Sequence, residues 1–452
     1  MRQSTPDNRS RFACRCIVMR RFSAVAIASL MLVVTVACSP GDNNAQAGVA
    51  QFGETGAQFA RKLARLCPER VPYSDQESRA ADLIMEELRL YGYTPEKQEF
   101  SVTDDTGVRR TSANIIAKLE GDGFVVSPKV DESVTSTLPN QRNDLMMIVG
   151  AHYDTPAIDS VPDEPVEDEE NAETQMVRPD GIHNNASGVA SVLTAARVMR
   201  ETPPGYDVTF VFFGAGTDEF AGAKYYLSKL SADNRKLTEV MVNVGPIFAG
   251  EKVYAHAGQN SVKSGDKKDY AKRRKLYQVT DIFFENQLNS RNKYAIYTNQ
   301  ASFLVPTPSG LSAIFREWTT KTSDHTPFDN AGIPIVFIES GDYRIRKVEE
   351  VGIESRNPLF QETGGVISGT KYDRADVLED LFRKMDEQAA RETIPIIDPN
   401  DTQADQEESP DYDEGDDKDY IPVARLPQRI NNTAFVIVQL ARKGPLNYDY
   451  NG

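Results

Sequence analysis

The chain is poor in cysteine, with four in 452 residues, and their positions exclude a disulfide framework. Cys14 and Cys16 precede Met19, where the signal segment also begins well, so an initiation at Met19 removes both. What remains is Cys38, read as lipid-bearing, and Cys67; no intramolecular pair is left. Basic charge is also short: 51 Lys and Arg stand against 67 Asp and Glu, a net of −16. Such a chain is repelled by phosphate backbones, and nucleic acid is excluded as a partner. No internal repeat is present, so the length is not that of a stacked array.

Residues 1–37 carry Arg20 and Arg21 ahead of the apolar run Ala24 to Ala37. That order is a secretion signal, too short to span a bilayer stably. Thr35-Val-Ala-Cys38 resembles a lipobox, although Thr35 is a less usual residue than Leu at its place. The plain alternative is an ordinary signal peptide with Cys38 incidental. Acylation of Cys38 anchors the chain to the membrane only if several chains are attached. Ser39 after it resembles the sorting class of the outer membrane, which places the protein in the cell envelope, facing the periplasm. Residues 38–56 read as a flexible tether and 57–445 as one large domain. Two Pro, Asp and Glu rich stretches, at about 156–178 and 398–420, lack apolar periodicity and read as solvated insertions. Asp411-Tyr-Asp-Glu-Gly-Asp-Asp417 does not keep the spacing of a calcium loop.

The apolar pattern alternates between helix and strand. Residues 76–91 put Ala80, Ile84, Leu88 and Tyr91 on one helical face before Gly92. Asn114 to Leu119 alternates as a strand, 120–143 is a polar connection, and Leu145 to Gly150 is a buried apolar run. Ser187 to Met199 is a helix with Val189, Val192, Leu193, Ala196 and Val198 inward. Asp207 to Phe213 is again a strand. This order predicts an α/β fold of three layers, a doubly wound and mostly parallel sheet with helices on both faces. His152, Thr217 and Glu339 fall at or near the carboxyl ends of strands, where such sheets bind ligands. Residues 251–322 read either as an insertion walling the crevice or as a surface subdomain, with 283–297 helix-like.

Four segments carry a resemblance: Leu145 to Thr155, ending in His-x-Asp; Asp180-Gly-Ile-His-Asn-Asn-Ala-Ser-Gly; Val211-Phe-Phe-Gly-Ala-Gly-Thr-Asp-Glu-Phe-Ala-Gly222; and Ser323-Asp-His-Thr-Pro-Phe328. Together, over about 57–390 plus a closing helix at about 431–443, they resemble the co-catalytic di-zinc aminopeptidases, relatives of leucyl aminopeptidase, glutamate carboxypeptidase and glutaminyl cyclase. The resemblance implies a metal ligand at His152, an orienting carboxylate at Asp154 and a second-metal ligand at His325. It also implies losses. Asn184 stands where the bridging aspartate belongs, Gly216 where the general base belongs, and Thr217 where a ligand glutamate belongs. Val242 or Asn243 stands where the last aspartate belongs, according to register.

Two divalent ions about 3.5 Å apart repel by roughly 19 kcal/mol at an effective dielectric of about 20, and anionic ligands must offset this. The expectation is therefore a fold without its catalytic residues, binding a peptide or protein ligand and needing no cofactor. The alternative is an active zinc exopeptidase of the periplasm with rearranged ligands drawn from Asp180, His183, Asp218 and Glu219. A third reading is a structural envelope lipoprotein. Restoring anions at 184, 216, 217 and 242 should raise zinc affinity first. His183 and His256 have no motif and are expected at the surface or behind the site; Trp318 is expected to pack.

Overall fold

The computed structural model describes residues 44–103, 106–126, 140–157, 178–265, 267–285, 295–307, 309–392 and 424–445. The signal segment, Cys38 and both acidic insertions except their edges lie outside the described residues. Contacts group 1–51 and 52–452 as two units; of the first, only the helical backbone of 44–51 is described.

Among the described residues twelve strands follow in chain order. The first six are β1 (Glu96–Thr103), β2 (Arg109–Leu119), β3 (Phe124–Val126), β4 (Asn140–Arg142), β5 (Met146–His152) and β6 (Asp207–Phe213). The rest are β7 (Thr238–Val244), β8 (Lys252–His256), β9 (Ile296–Thr298), β10 (Leu304–Pro306), β11 (Ser312–Ile314) and β12 (Ile335–Gly341). Eight of them form one sheet in the order β1-β2-β6-β5-β7-β12-β8-β9. Its centre, β6-β5-β7-β12, is parallel, while β1, β2 and β8 join antiparallel. Strands at the centre read as unbroken apolar runs because helices cover both faces. The helix Ser187–Glu201 connects β5 to β6, and Ala221–Lys229 with Ala232–Leu237 connects β6 to β7.

Alternation along each strand separates the faces. Met147 and Val149, Phe210 and Phe212, Val240 and Val242, Val336 and Ile338 meet the larger core with the helices Ser187–Glu201 and Arg425–Lys443. Ile148, Val211, Phe213, Met241, Ile335 and Phe337 meet a smaller core closed by Ala223, Tyr226 and Phe328. By the same alternation His152, Asn243 and Glu339 lie on the side of the smaller core, at the carboxyl edge of the parallel strands.

Three expectations need correction. The composition of 38–56 predicts a tether, yet a single helix runs from Asn44 to Leu66. Its glycines are a packing device: a Cβ at Gly53 would lie 1.9 Å from Pro427 O, and one at Gly56 would lie 2.5 Å from Thr194 Oγ1. Residues 251–322 are neither wholly insertion nor detached subdomain, because β8 and β9 complete the main sheet; the described α-helices here are Lys267–Lys272 and Arg274–Glu285, and most of the helix-like 283–297 lies outside the described residues. The connection 120–143 contains the β3-β4 hairpin. Trp318 is buried in the core as expected.

Candidate functional site

β5 ends on His152, which is buried, and the chain turns so that Asp154 lies beneath it with its Oδ1 3.4 Å from His152 Nδ1. Asp154 is fully buried. It accepts hydrogen bonds from Gly216 N and Thr217 N, both at 2.8 Å, and from Thr217 Oγ1 at 2.6 Å. Burial pulls the His152 ring towards neutrality, but the bond and charge of Asp154 outweigh it and raise its pKa. The loop after β6, where the resemblance places a base and a ligand, is thus drawn by its own amides onto a carboxylate. Gly216 fits only because it has no side chain: a Cβ there would lie 2.3 Å from His152 Cβ and 3.1 Å from Asp154 Oδ1.

On β7 it is Asn243, not Val242, that lies on the side of His152. Val242 pairs between Val149 and Val336 and lies in the larger core. Asn243 instead donates from Nδ2 to Ser323 Oγ at 3.0 Å and lies 3.5 Å from His325 Nδ1. The His325 ring packs on Phe337, centroids 4.5 Å apart. Burial holds it neutral, with its pKa lowered to about 3. Asn184 follows Gly181 in a tight turn whose amides at His183 and Asn184 donate to Asp373 at 2.8 and 3.1 Å. The Asn184-Asn185 peptide is cis, and Asn185 Nδ2 reaches Val244 O at 2.9 Å, seating the turn at the end of β7. The side-chain oxygens Asn184 Oδ1, Asn243 Oδ1 and both of Asp324 are buried without a protein hydrogen-bond partner of normal geometry. Asp324, which sequence reasoning did not single out, feels His152 and Asp154 electrostatically, and burial raises its pKa to about 6.

The residues considered as replacement ligands are engaged elsewhere. Asp180 caps Ile182 N and Ala375 N, both at 2.9 Å. His183 is fully buried, not at the surface, accepting from Ala249 N at Nδ1 and facing Glu354 with Nε2 at 3.2 Å. Asp218 accepts from the Tyr73 hydroxyl, and Glu219 pairs with Lys224 at the surface. His256 is likewise fully buried, 3.5 Å from Glu339, which is also paired with Lys321 at 2.7 Å. Burial pushes Glu339 up, but Lys321 and His256 outweigh it and hold the carboxylate at about 2. Among the described residues no three His, Cys, Asp or Glu side chains are grouped so as to hold a metal ion.

Glu77 also escaped the sequence reading. Ser74 caps its helix, Asp75–Leu90, by accepting from Glu77 N, and the buried Glu77 carboxylate accepts from Tyr73 N, Ser112 Oγ and Ala215 N. Burial first, and then the charge of Asp154, raises it to about 7. A carboxyl whose folded pKa exceeds its unfolded value stabilises most at low pH, and that contribution is lost as pH rises through the folded value. Between the unfolded value of about 4.3 and the folded one it amounts to roughly 4 kcal/mol. Melting curves of Glu77→Gln should therefore start lower, because one acceptor is lost, but fall less steeply than wild type between pH 5 and pH 8. Parallel profiles would contradict the assignment.

A parallel-centred α/β sheet with a His-x-Asp pair, a capped turn and a Ser-Asp-His segment at one carboxyl edge defines a zinc-exopeptidase-like protein. A profile described as peptidase family M28 matches residues 133–413, more than half of the chain, and the chain belongs to that family. An alkaline phosphatase isozyme conversion protein of Escherichia coli strain K12 is 22% identical over 317 residues, 68% of this chain and 78% of that protein. Aminopeptidase YwaD of Bacillus subtilis strain 168 is 24% identical over 241 residues, covering 52% of this chain and 42% of that protein. Among solved structures, an aminopeptidase from Aneurinibacillus sp. strain AM-1 superposes with a TM-score of 0.47 at 14% identity, over 88% of this chain and 97% of that one.

Proposed function

We propose that this M28 chain binds a peptide or protein in its crevice without hydrolysing it, and that it does so at the cell envelope on a lipid attached to Cys38. The observation that carries the reading is the seat of Gly216, where a base would have to project through His152 Cβ. Further support comes from chemistry. A zinc pair takes anionic bridging and terminal ligands, whereas the matched positions offer Asn184, Thr217 and Asn243 beside two histidines, a donor set that does not fit it. Bound zinc would supply a Lewis acid and an activated water; in this chain Asp154 orders the loop at 216–217, and His152 and His325 flank the space where an occupant would sit.

The purified domain is expected to carry less than one zinc per chain and to release no amino acid from aminoacyl chromogenic substrates. Stoichiometric zinc, with activity abolished by a chelator and by His152→Ala, would leave the active exopeptidase standing instead. The anchor has its own check. Cys38→Ser should move the protein from the membrane fraction to the soluble one, and unchanged association overturns the lipid reading.

A further inference from the structure

The hairpin of β10 and β11 stands apart from the main sheet and turns an apolar face outward. Leu304 pairs directly with Ile314, and Pro306 with Ser312. Directly paired residues of an antiparallel ladder project on one face, and all four are exposed. Leu304 is 69% exposed, Ile314 54%, and Leu311 in the connecting turn 53%. The alternate residues Val305 and Phe315 are buried in the larger core, and the buried Trp318 donates from Nε1 to Ile314 O at 2.8 Å. The hairpin is therefore fixed on its inner side while its outer side is left apolar.

Cations border this face. A Cβ at Gly265 would lie 3.6 Å from Leu311 Cδ1, which puts the basic segment 263–274 beside the turn, and Arg273 meets Glu317 just after β11 at 3.3 Å. Residues 263–274 hold six Lys and Arg, and Arg316 is a seventh. Against them stand four acids: Asp266, Asp269, Glu317, and the buried Asp329, which feels Lys263 and Lys272. A surplus of three remains, in a chain whose net charge is −16. Lys263, Lys268 and Arg316 are exposed, as is Tyr270 at 58%.

We propose that this face docks on an anionic lipid bilayer, with Leu304, Leu311 and Ile314 entering its apolar region and Lys263, Lys268 and Arg316 meeting headgroup phosphates. Stable protein interfaces take about 20–30 residues a side; three apolar side chains on a short hairpin are few for that. They suit a bilayer, where apolar side chains insert and the stems of Lys and Arg lie along them with their charges at the headgroups. Tyr270, with an apolar ring and a polar hydroxyl, has the form enriched at such boundaries. The negative charge of the whole chain turns its other faces from an anionic surface, so attraction is confined to this one.

The test uses the processed chain, residues 38–452, carrying Cys38→Ser so that no lipid is attached. Flotation is measured with vesicles of mixed phosphatidylethanolamine and phosphatidylglycerol, and with vesicles of phosphatidylcholine alone. Binding to the anionic vesicles is expected, at least about tenfold weaker in Leu304→Ser/Ile314→Ser and in Lys263→Ser/Arg316→Ser. Phosphatidylcholine vesicles should bind the unchanged hairpin at least about tenfold more weakly than anionic ones. Both double variants alter exposed side chains, and their melting temperatures should match that of the parent. Absence of binding to anionic vesicles, or equal binding by either variant, overturns the proposal. Equal binding to phosphatidylcholine overturns it as well, because the cations would then have no part. A dimer in sedimentation that Leu304→Ser/Ile314→Ser dissolves, without vesicle binding, makes the face an interface between copies and overturns the bilayer. Since the tested chain bears no lipid and its crevice is unchanged, each outcome is separate from the anchor at Cys38 and from what the crevice binds.

Discussion

Glutamate at position 216, where the family resemblance implies a base, is expected to unfold the domain. The Cβ alone would enter to 2.3 Å of His152 Cβ and 2.8 Å of its Cγ, and neither atom belongs to the far end of a flexible side chain. Overpacking of this kind costs about 1–3 kcal/mol before any charge is considered. The new carboxylate would then lie against Asp154, which is fully buried, adding several kcal/mol of unpaired charge. Val242→Asp is no better. It would place a carboxylate in the larger core between Val149 and Val336, at a cost of several kcal/mol. The fourfold restoration at 184, 216, 217 and 242 should accordingly give insoluble protein rather than a zinc site. Asn184→Asp with Asn243→Asp keeps the shape of both side chains and should remain folded, so any gain in zinc affinity belongs to that pair. Circular dichroism melts and zinc titration of the two sets decide it: a folded, zinc-binding fourfold variant would show that the 216 loop rearranges freely.

Arg70→Met should lower the melting temperature by roughly 5–15 °C. The buried guanidinium donates from Nε to Tyr153 O at 2.8 Å, from Nη1 to Cys67 O at 3.0 Å and Asp180 O at 2.7 Å, and from Nη2 to Gly181 O at 3.0 Å. One side chain thereby fixes the strand exit below His152 to the turn that carries Asn184. Methionine fills the volume but leaves these carbonyls without donors, at about 1–3 kcal/mol for each that stays buried. Arg70→Lys should recover only part of the loss, since an ammonium cannot span the fork. A melting temperature within 2 °C of wild type for Arg70→Met would mean that water reaches the carbonyls.

The difference between legible and illegible features follows the range of the interactions. β6 and the helix beginning at Ser187 match their apolar patterns closely, because burial on a parallel sheet imposes a period that neighbours in sequence reveal. That His152 stands at the carboxyl end of its strand was legible as well, and so was the glycine at 216. Its reason was not, since the close approach of Gly216 to His152 joins two strands. Val242 and Asn243 could be separated only by the sheet's alternation. Arg70, Glu77 and the burial of His183 escaped because their partners are remote; His183 meets Glu354 across a separation of 171 residues. Lone polar residues carry no periodic signal, so their burial is visible only when the chain has closed around them.

Gly53 and Gly56 set the timing of that closure. They let the first described helix sit against Pro427, Ile430 and Asn431 of the last described one, so two segments far apart in sequence hold each other. Contacts of such long sequence separation carry the largest loop-closure entropy and form late. During synthesis the first helix has to wait, with its apolar face unburied, until residues beyond 425 have emerged. Truncation near the carboxyl end would therefore expose a surface at the amino end, and a chain released early presents itself to chaperones and proteases through its first helix.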